Sequence, residues 1–268
     1  MTAGSERPFR RIVAALDATS DSGSVLDTAA MLAARWRVEL LGLYLEDMEL
    51  LQLCAHPVAR QVGFAGGPEP QASAAQMQAA LRVMERRAAR LVQDAATHRN
   101  VASSFQVLRG RVASAVAALE ISDLLVVQPV SRPFAGYLRV RSAWSESTGP
   151  MRRQPVLLVG GRPWGGSGVT VFVDASIAAE RALAVAGEIA GPGAPILLVR
   201  AEGAPAAEAL TRHPALAGHA VHAIALGAWD ESRAGGMLVV PTTLLDAPEG
   251  ARLARTLERP PCPVMLVG

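Results

Sequence analysis

Hydrophobic residues fall along this chain in two alternating rhythms. Ile12-Val13-Ala14-Ala15-Leu16 is an unbroken apolar run that stops at Asp17. A polar turn follows over 18–23, and then Val25, Leu26, Ala29, Ala30 and Ala33 return at helical spacing. A run that is apolar at every position suits a strand buried on both faces, and such strands belong to parallel sheets covered by helices. The pattern predicts a strand over 11–16 and an amphipathic helix from about Asp21 to Trp36. An acidic side chain then stands at the strand's carboxyl end, where ligands sit in open α/β sheets.

The alternation continues. Strands are predicted over 38–45, 102–108, 123–127 and from Pro155. Helices are predicted from Ala72 to about His98, over 112–120 and from Ser142, with a loop over 128–141. Between the second strand and the long helix lies an extra stretch, 46–71. Leu51, Cys54, Val58 and Val62 recur there at spacings of three and four, which suggests short helical pieces broken at Pro57 and ending at Gly66-Gly67-Pro68.

The pattern then repeats. Val169-Thr170-Val171-Phe172-Val173-Asp174-Ala175-Ser176 answers 12–19, and Pro155-Val156-Leu157-Leu158-Val159-Gly160 answers Pro263-Val264-Met265-Leu266-Val267-Gly268. Leu124-Leu125-Val126-Val127 matches Met237-Leu238-Val239-Val240, and Gly110 matches Gly227. Four matches in one order mean two copies of one unit. We therefore expect a first domain over 1–160 with an insertion over about 46–71, a Gly/Pro linker over 161–168, and a shortened second domain over 169–268. In the second copy strands are expected over 169–173, 195–200, 219–226, 237–240 and at the end. Helices are expected over 178–190 and 247–257. The counterpart of the long helix, 204–216, is broken by Pro205 and Pro214.

Composition narrows the function classes. Half of the 268 residues are hydrophobic but only 4% are aromatic, so the core must be built from Ala, Val and Leu. The net charge of +2 argues against a nucleic-acid binder. All 26 basic residues are arginine, which removes any P-loop or Schiff-base lysine. No apolar run approaches the ~20 residues that span a bilayer. The segment MTAGSERPFRR has no signal-peptide core, and two cysteines make no disulfide framework, so a reduced, cytoplasmic protein without membrane contact is expected. Cys54 with His56 makes no metal site without a second pair, and His219 and His222 point to opposite faces of a strand. No nucleophile–base pair stands out, and no enzyme activity is expected.

The order strand-Asp-helix, strand, long helix, strand-Gly-helix, strand-loop-helix and Pro-Val-hydrophobic strand resembles the universal stress protein family, as a tandem pair. The resemblance implies two Rossmann-like (HUP-type) α/β domains. Each is a five-stranded parallel sheet of order 3-2-1-4-5 with helices on both faces. The pair is expected to pack as an intramolecular pseudo-dimer through strand five, with a further homodimer left open. In nucleotide-binding members the adenine lies near the strand-one Asp, here Asp17, and a backbone position corresponding to Leu45 faces the base. Phosphates are held by Gly-x2-Gly-x9-Gly-Ser/Thr after strand four. Here the three glycine positions are Gln128, Ser131 and Arg141, with Ser142 next, so the spacing survives but every glycine is lost. Pro129 and Pro133 remove two further N–H donors.

The resemblance therefore implies a stress-response protein whose ATP or AMP site is impaired in the first copy and absent from the second, where Pro241-Thr242-Thr243-Leu244 replaces the loop. No cofactor is expected. Such a protein would act through a protein partner or a small ligand in the first crevice; an ATP/AMP-binding protein with slow hydrolysis is the alternative. Arg132, Arg139 and Arg141 with Ser142 could hold an anion by charge, or stand as surface arginines. Asp17 and Asp174 could contact a ligand, or accept from the N–H groups that open the following helix.

Overall fold

The computed structural model describes residues 8–16, 23–46, 74–109, 119–128, 154–160, 164, 168–230, 236–248, 250, 253, 257 and 260–268. Its strands follow the unbroken apolar runs. β1 (Arg11–Leu16), β2 (Glu39–Glu46), β3 (Ser103–Arg109), β4 (Asp123–Val127) and β5 (Val156–Leu158) come from the first copy. β6 (Val169–Val173), β7 (Ile196–Arg200), β8 (Val221–Ala225), β9 (Met237–Pro241) and β10 (Val264–Val267) come from the second. The helices are α1 (Gly23–Trp36), α2 (Ala74–Arg99), α3 (Ile177–Ala190), α4 (Ala207–Thr211) and α5 (Thr242–Asp246).

The sheet order is β3-β2-β1-β4-β5-β10-β9-β6-β7-β8. Read inward from either edge, each copy gives 3-2-1-4-5. The ten strands do not form two separate sheets, however. They form one continuous sheet, parallel within each copy and joined by the antiparallel pair β5–β10. In that pair Val264 faces Leu158, Met265 faces Leu157 and Leu266 faces Val156. The pairing is self-complementary between the two repeated Pro-Val segments, so a pseudo-two-fold axis passes between Leu157 and Met265.

Two apolar layers flank the sheet. One contains Leu26, Ala29, Ala33 and Trp36 of α1, Val92 and Ala96 of α2, Leu183, Ala186 and Ile189 of α3, and Leu210 of α4. The other contains Leu41, Leu43 and Leu45 of β2, Phe172, Leu238, Val240 and Leu253. Alternate side chains of each strand enter opposite layers, which is why every position of β4 and β6 is buried.

The long helix expected from Ala72 is present as α2. Its second-copy counterpart is reduced to the five residues of α4 and a 3-10 turn, Pro214–Leu216, as the two prolines require. After β9 the structure differs from expectation. α5 begins at Thr242, ahead of the helical positions Gly250, Leu253 and Leu257 of the helix expected over 247–257. A Cβ at Gly250 would stand 2.0 Å from the Leu244 carbonyl oxygen, so only glycine lets these two pieces pack so closely.

The seam between the copies is closed by α1 and the linker. Arg35 donates from Nη2 to the Glu188 carbonyl in the last turn of α3, 2.9 Å away, where a cation meets the helix's negative end. Its guanidinium lies 5.5 Å from the ring centroid of Trp164, which is buried in the first apolar layer. Burial lowers the Arg35 pKa from its ordinary value. Gly191, at φ +73, ends α3 beside this guanidinium. At the same, amino end of the first-copy strands, Arg11 of β1 binds the buried Asp123 of β4 through Nε at 3.2 Å and Nη2 at 2.6 Å. The hydrogen bond to Asp123 is the main cause of the raised Arg11 pKa.

Candidate functional site

The order of each copy reverses between its first and fourth strands, so crevices are expected at the carboxyl ends of β1/β4 and β6/β9. In the first copy, β1 is last paired with β2 at Leu16–Tyr44, whereas β2 runs on beside β3 to Glu46–Arg109. Leu45 and Glu46 therefore extend past the end of β1. Leu45 is buried among the apolar side chains of the second layer. Glu46 pairs with Arg109 at 2.6 Å, and that bond raises the arginine's pKa. On the other side, Val127 ends β4, its carbonyl accepting from Val159 N–H at 2.8 Å. Gln128 follows directly, its Oε1 buried without a hydrogen-bond partner among the described residues. The topology thus brings Leu45 and Gln128 to the same edge of the sheet, on either side of β1's end. Asp17, Ser131, Arg132, Arg139, Arg141 and Ser142 lie outside the described residues.

Among the described residues, the second-copy crevice is bridged by its own side chains. Asp174 follows β6. Its Oδ1 accepts from the Ser176 backbone N–H at 2.9 Å and from the Ser176 hydroxyl at 2.5 Å. Its Oδ2 accepts from the Thr243 hydroxyl at 2.6 Å, and the Ser176 and Thr243 hydroxyls lie 2.9 Å apart. Thr243 belongs to the first turn of α5, directly after β9. The carboxylate thus ties the exit of β6 to the exit of β9, and both of its oxygens are occupied.

This refines the expected capping role of Asp174. The residue that caps α3 is Ser176, whose Oγ accepts from Ala179 N–H at 3.2 Å. Asp174 turns the chain ahead of that cap. Ser176 was legible as a hydroxyl residue two positions before the helix. The bond to Thr243 was not, since it joins residues 69 positions apart. The backbone N–H of Ala201, the residue past the end of β7, donates to the Val173 carbonyl at 2.9 Å. Among the described residues, no three His, Cys, Asp or Glu side chains gather as a metal would require. His219 instead approaches the Ala194 carbonyl through Nδ1 at 3.1 Å. No described helix is long and apolar enough to cross a membrane.

No protein-family model matches the chain, and no curated protein sequence is recognisably similar to it. Solved structures do share its fold. A universal stress protein from Archaeoglobus fulgidus DSM 4304 superposes with a TM-score of 0.64 at 13% identity, over 96% of this chain and 95% of that one. A putative universal stress protein from Pseudomonas aeruginosa UCBPP-PA14 gives 0.53 at 16% identity, covering 97% and 93%. A functionally unknown protein from Pseudomonas aeruginosa PAO1 gives 0.55 at 14% identity, covering 97% and 92%. The fold of the whole chain is therefore that of universal stress proteins of similar length, as the sequence resemblance implied.

Proposed function

We propose that this protein is a tandem universal stress protein that works without catalysis, through a protein partner or a small ligand in the first-copy crevice. The reading assigns two domains, over 1–160 and 169–268, to a cytoplasmic stress-response role. The observation that carries it is the Asp174–Ser176–Thr243 bridge. In the second copy, both oxygens of the carboxylate that would face a base already accept hydrogen bonds from their own chain, and β9 enters α5 with no loop between them.

In the first copy, the phosphate-loop pattern is spaced correctly but built from Gln128, Ser131, Arg141 and Ser142. A glycine there would leave backbone N–H groups bare for phosphate oxygens. At the first of these positions Gln128 puts an amide side chain where glycine would have none, and its Oε1 is buried. The family resemblance assigns Asp17 and Leu45 to the base side, and the arginines 132, 139 and 141 supply positive charge within the loop sequence. That set suits a small ligand or a partner's anionic group better than a triphosphate.

Thermal denaturation with ATP, AMP and simple anions tests the reading. A ligand at a hundredfold excess over its dissociation constant stabilises a fold by ~2.7 kcal/mol. We expect no shift in melting temperature with ATP or AMP. A rise of a few degrees with ATP, about what that energy gives in a chain of this size, would support the alternative of a nucleotide-binding protein with slow hydrolysis.

A further inference from the structure

We propose that the exposed face of α2 is a self-association surface that binds the acidic α4 end of a second copy of this chain. Five large hydrophobic residues stand exposed among the described residues, and three of them, Val83 at 64%, Met84 at 41% and Leu91 at 39%, belong to α2. They are not scattered. Val83 and Leu91 lie one turn before and after Arg87, and Met84 lies three residues before it, so the three enclose that guanidinium on one side of the helix. Arg86 and Arg90 are exposed at the margin. Glu85 is half-buried and its charge acts on Arg109 of β3, which leaves Asp94 as the exposed acid of the segment 74–99. Asp94 lies on the same face, one turn past Arg90, but Arg86, Arg87 and Arg90 outnumber it, and apolar side chains among a surplus of arginines call for a partner that is acidic and offers some apolar contact.

The chain carries such a surface at its other end. Residues 1–160 hold 18 arginines against 14 acids, whereas residues 169–268 hold 7 against 10. α4 packs in the same layer as α2, with Leu210 buried there, but at the opposite edge of the sheet beside β8. Around it stand the exposed Glu202 and Glu208, with Glu180 2.9 Å from His213, against the exposed Arg212 and against Arg200, whose Nε donates to the Pro205 carbonyl at 2.9 Å. Pro205, Ala206 and Ala209 are exposed between them. Because α4 is five residues long where α2 is 26, this end lacks the helix that covers its pseudo-symmetric counterpart.

Turning one copy over against another about a two-fold axis sets the α2 of each against the α4 end of the other. The two contacts are identical and the assembly closes. This inference goes beyond the proposed function and does not depend on the state of the nucleotide loop.

Sedimentation velocity of the full chain tests it. At about 50 mM salt the protein is expected to sediment as a dimer that dissociates as salt is raised. Reversing α2 with Arg86→Glu, Arg87→Glu and Arg90→Glu weakens the dimer at least about tenfold, and Glu202→Arg with Glu208→Arg does the same. An equimolar mixture of these two charge-reversed chains re-forms a dimer, because both contacts are then complementary; this also shows that each variant is folded. Val83→Ser with Leu91→Ser weakens association without changing charge. A wild-type monomer at low salt, a dimer indifferent to the α2 reversal, or a mixture that stays monomeric would each overturn the proposal.

Discussion

Single side chains in this protein act mostly as ties between strands that are distant in sequence. Asp174 is the clearest. Its carboxylate organises the turn before α3 and reaches across to α5. Replacing it with Ala removes acceptors from the Ser176 N–H, the Ser176 hydroxyl and the Thr243 hydroxyl at once. The crevice is open enough for water to take over part of this work, so the cost is expected to be about 1–2 kcal/mol in urea denaturation. Thr243→Val should lose less, since one of the two carboxylate oxygens keeps its partners. Equal stability of Asp174→Ala and wild type would show that the bridge contributes nothing.

Cys262 offers a test at the same scale. Burial pushes its thiol up from 9.0 to about 11. The folded protein therefore holds the proton where the unfolded chain releases it. Stability from this group is fully present below about pH 9 and is lost as pH rises toward 11. Measured against Cys262→Ala, both in a Cys54→Ser background, wild type should lose stability over that window. Two parallel pH profiles would contradict the assignment.

At the scale of elements, the sequence was most readable where burial alone decides. β1, β4 and β6 run over the residues expected from their apolar runs, because a strand buried on both faces favours apolar side chains at nearly every position, and the buried exception at the start of β4, Asp123, is paired with Arg11. Pro205 and Pro214 likewise made the loss of the long helix in the second copy foreseeable. α5 was less legible. Thr242 and Thr243 are weak helix formers, and the turn forms because Leu244 is buried in the second layer and Gly250 allows close approach. In the candidate site, sequence placed Leu45 and Gln128 at the right strand ends. It could not reveal that Asp174 is spoken for by Thr243, a fact of tertiary pairing. Packing between elements makes its own prediction at Gly187. A Cβ there would lie 2.0 Å from the Ala215 carbonyl oxygen, so α3 would have to withdraw from the 3-10 turn. Gly187→Ala gains about 1 kcal/mol in helix propensity but meets an overpacking cost of about 1–3 kcal/mol. A net loss of stability on thermal denaturation is expected; a stabilised variant would mean that the turn moves freely.

The whole molecule depends on one antiparallel junction. β5 and β10 each have a parallel neighbour on one side, β4 and β9, and find each other on the other side. Without the second copy, β5 would be an open edge of buried, wholly apolar residues, Val156-Leu157-Leu158, and such an edge seeks another strand. The register supplies one. Since Val156, Leu157 and Leu158 correspond to Val264, Met265 and Leu266, a second β5 can take the place of β10 in the same antiparallel alignment. A chain ending after Gly160 is therefore expected to dimerise through β5, or to aggregate, where the full chain satisfies the same edge internally. Placing a lysine at Leu157 of that shortened chain should abolish the pairing, because the charge would be buried against its own symmetry mate. Sedimentation velocity decides the matter. A stable, soluble monomer of residues 1–160 would show that the first copy closes its own edge, and that the duplication was not needed to complete the sheet.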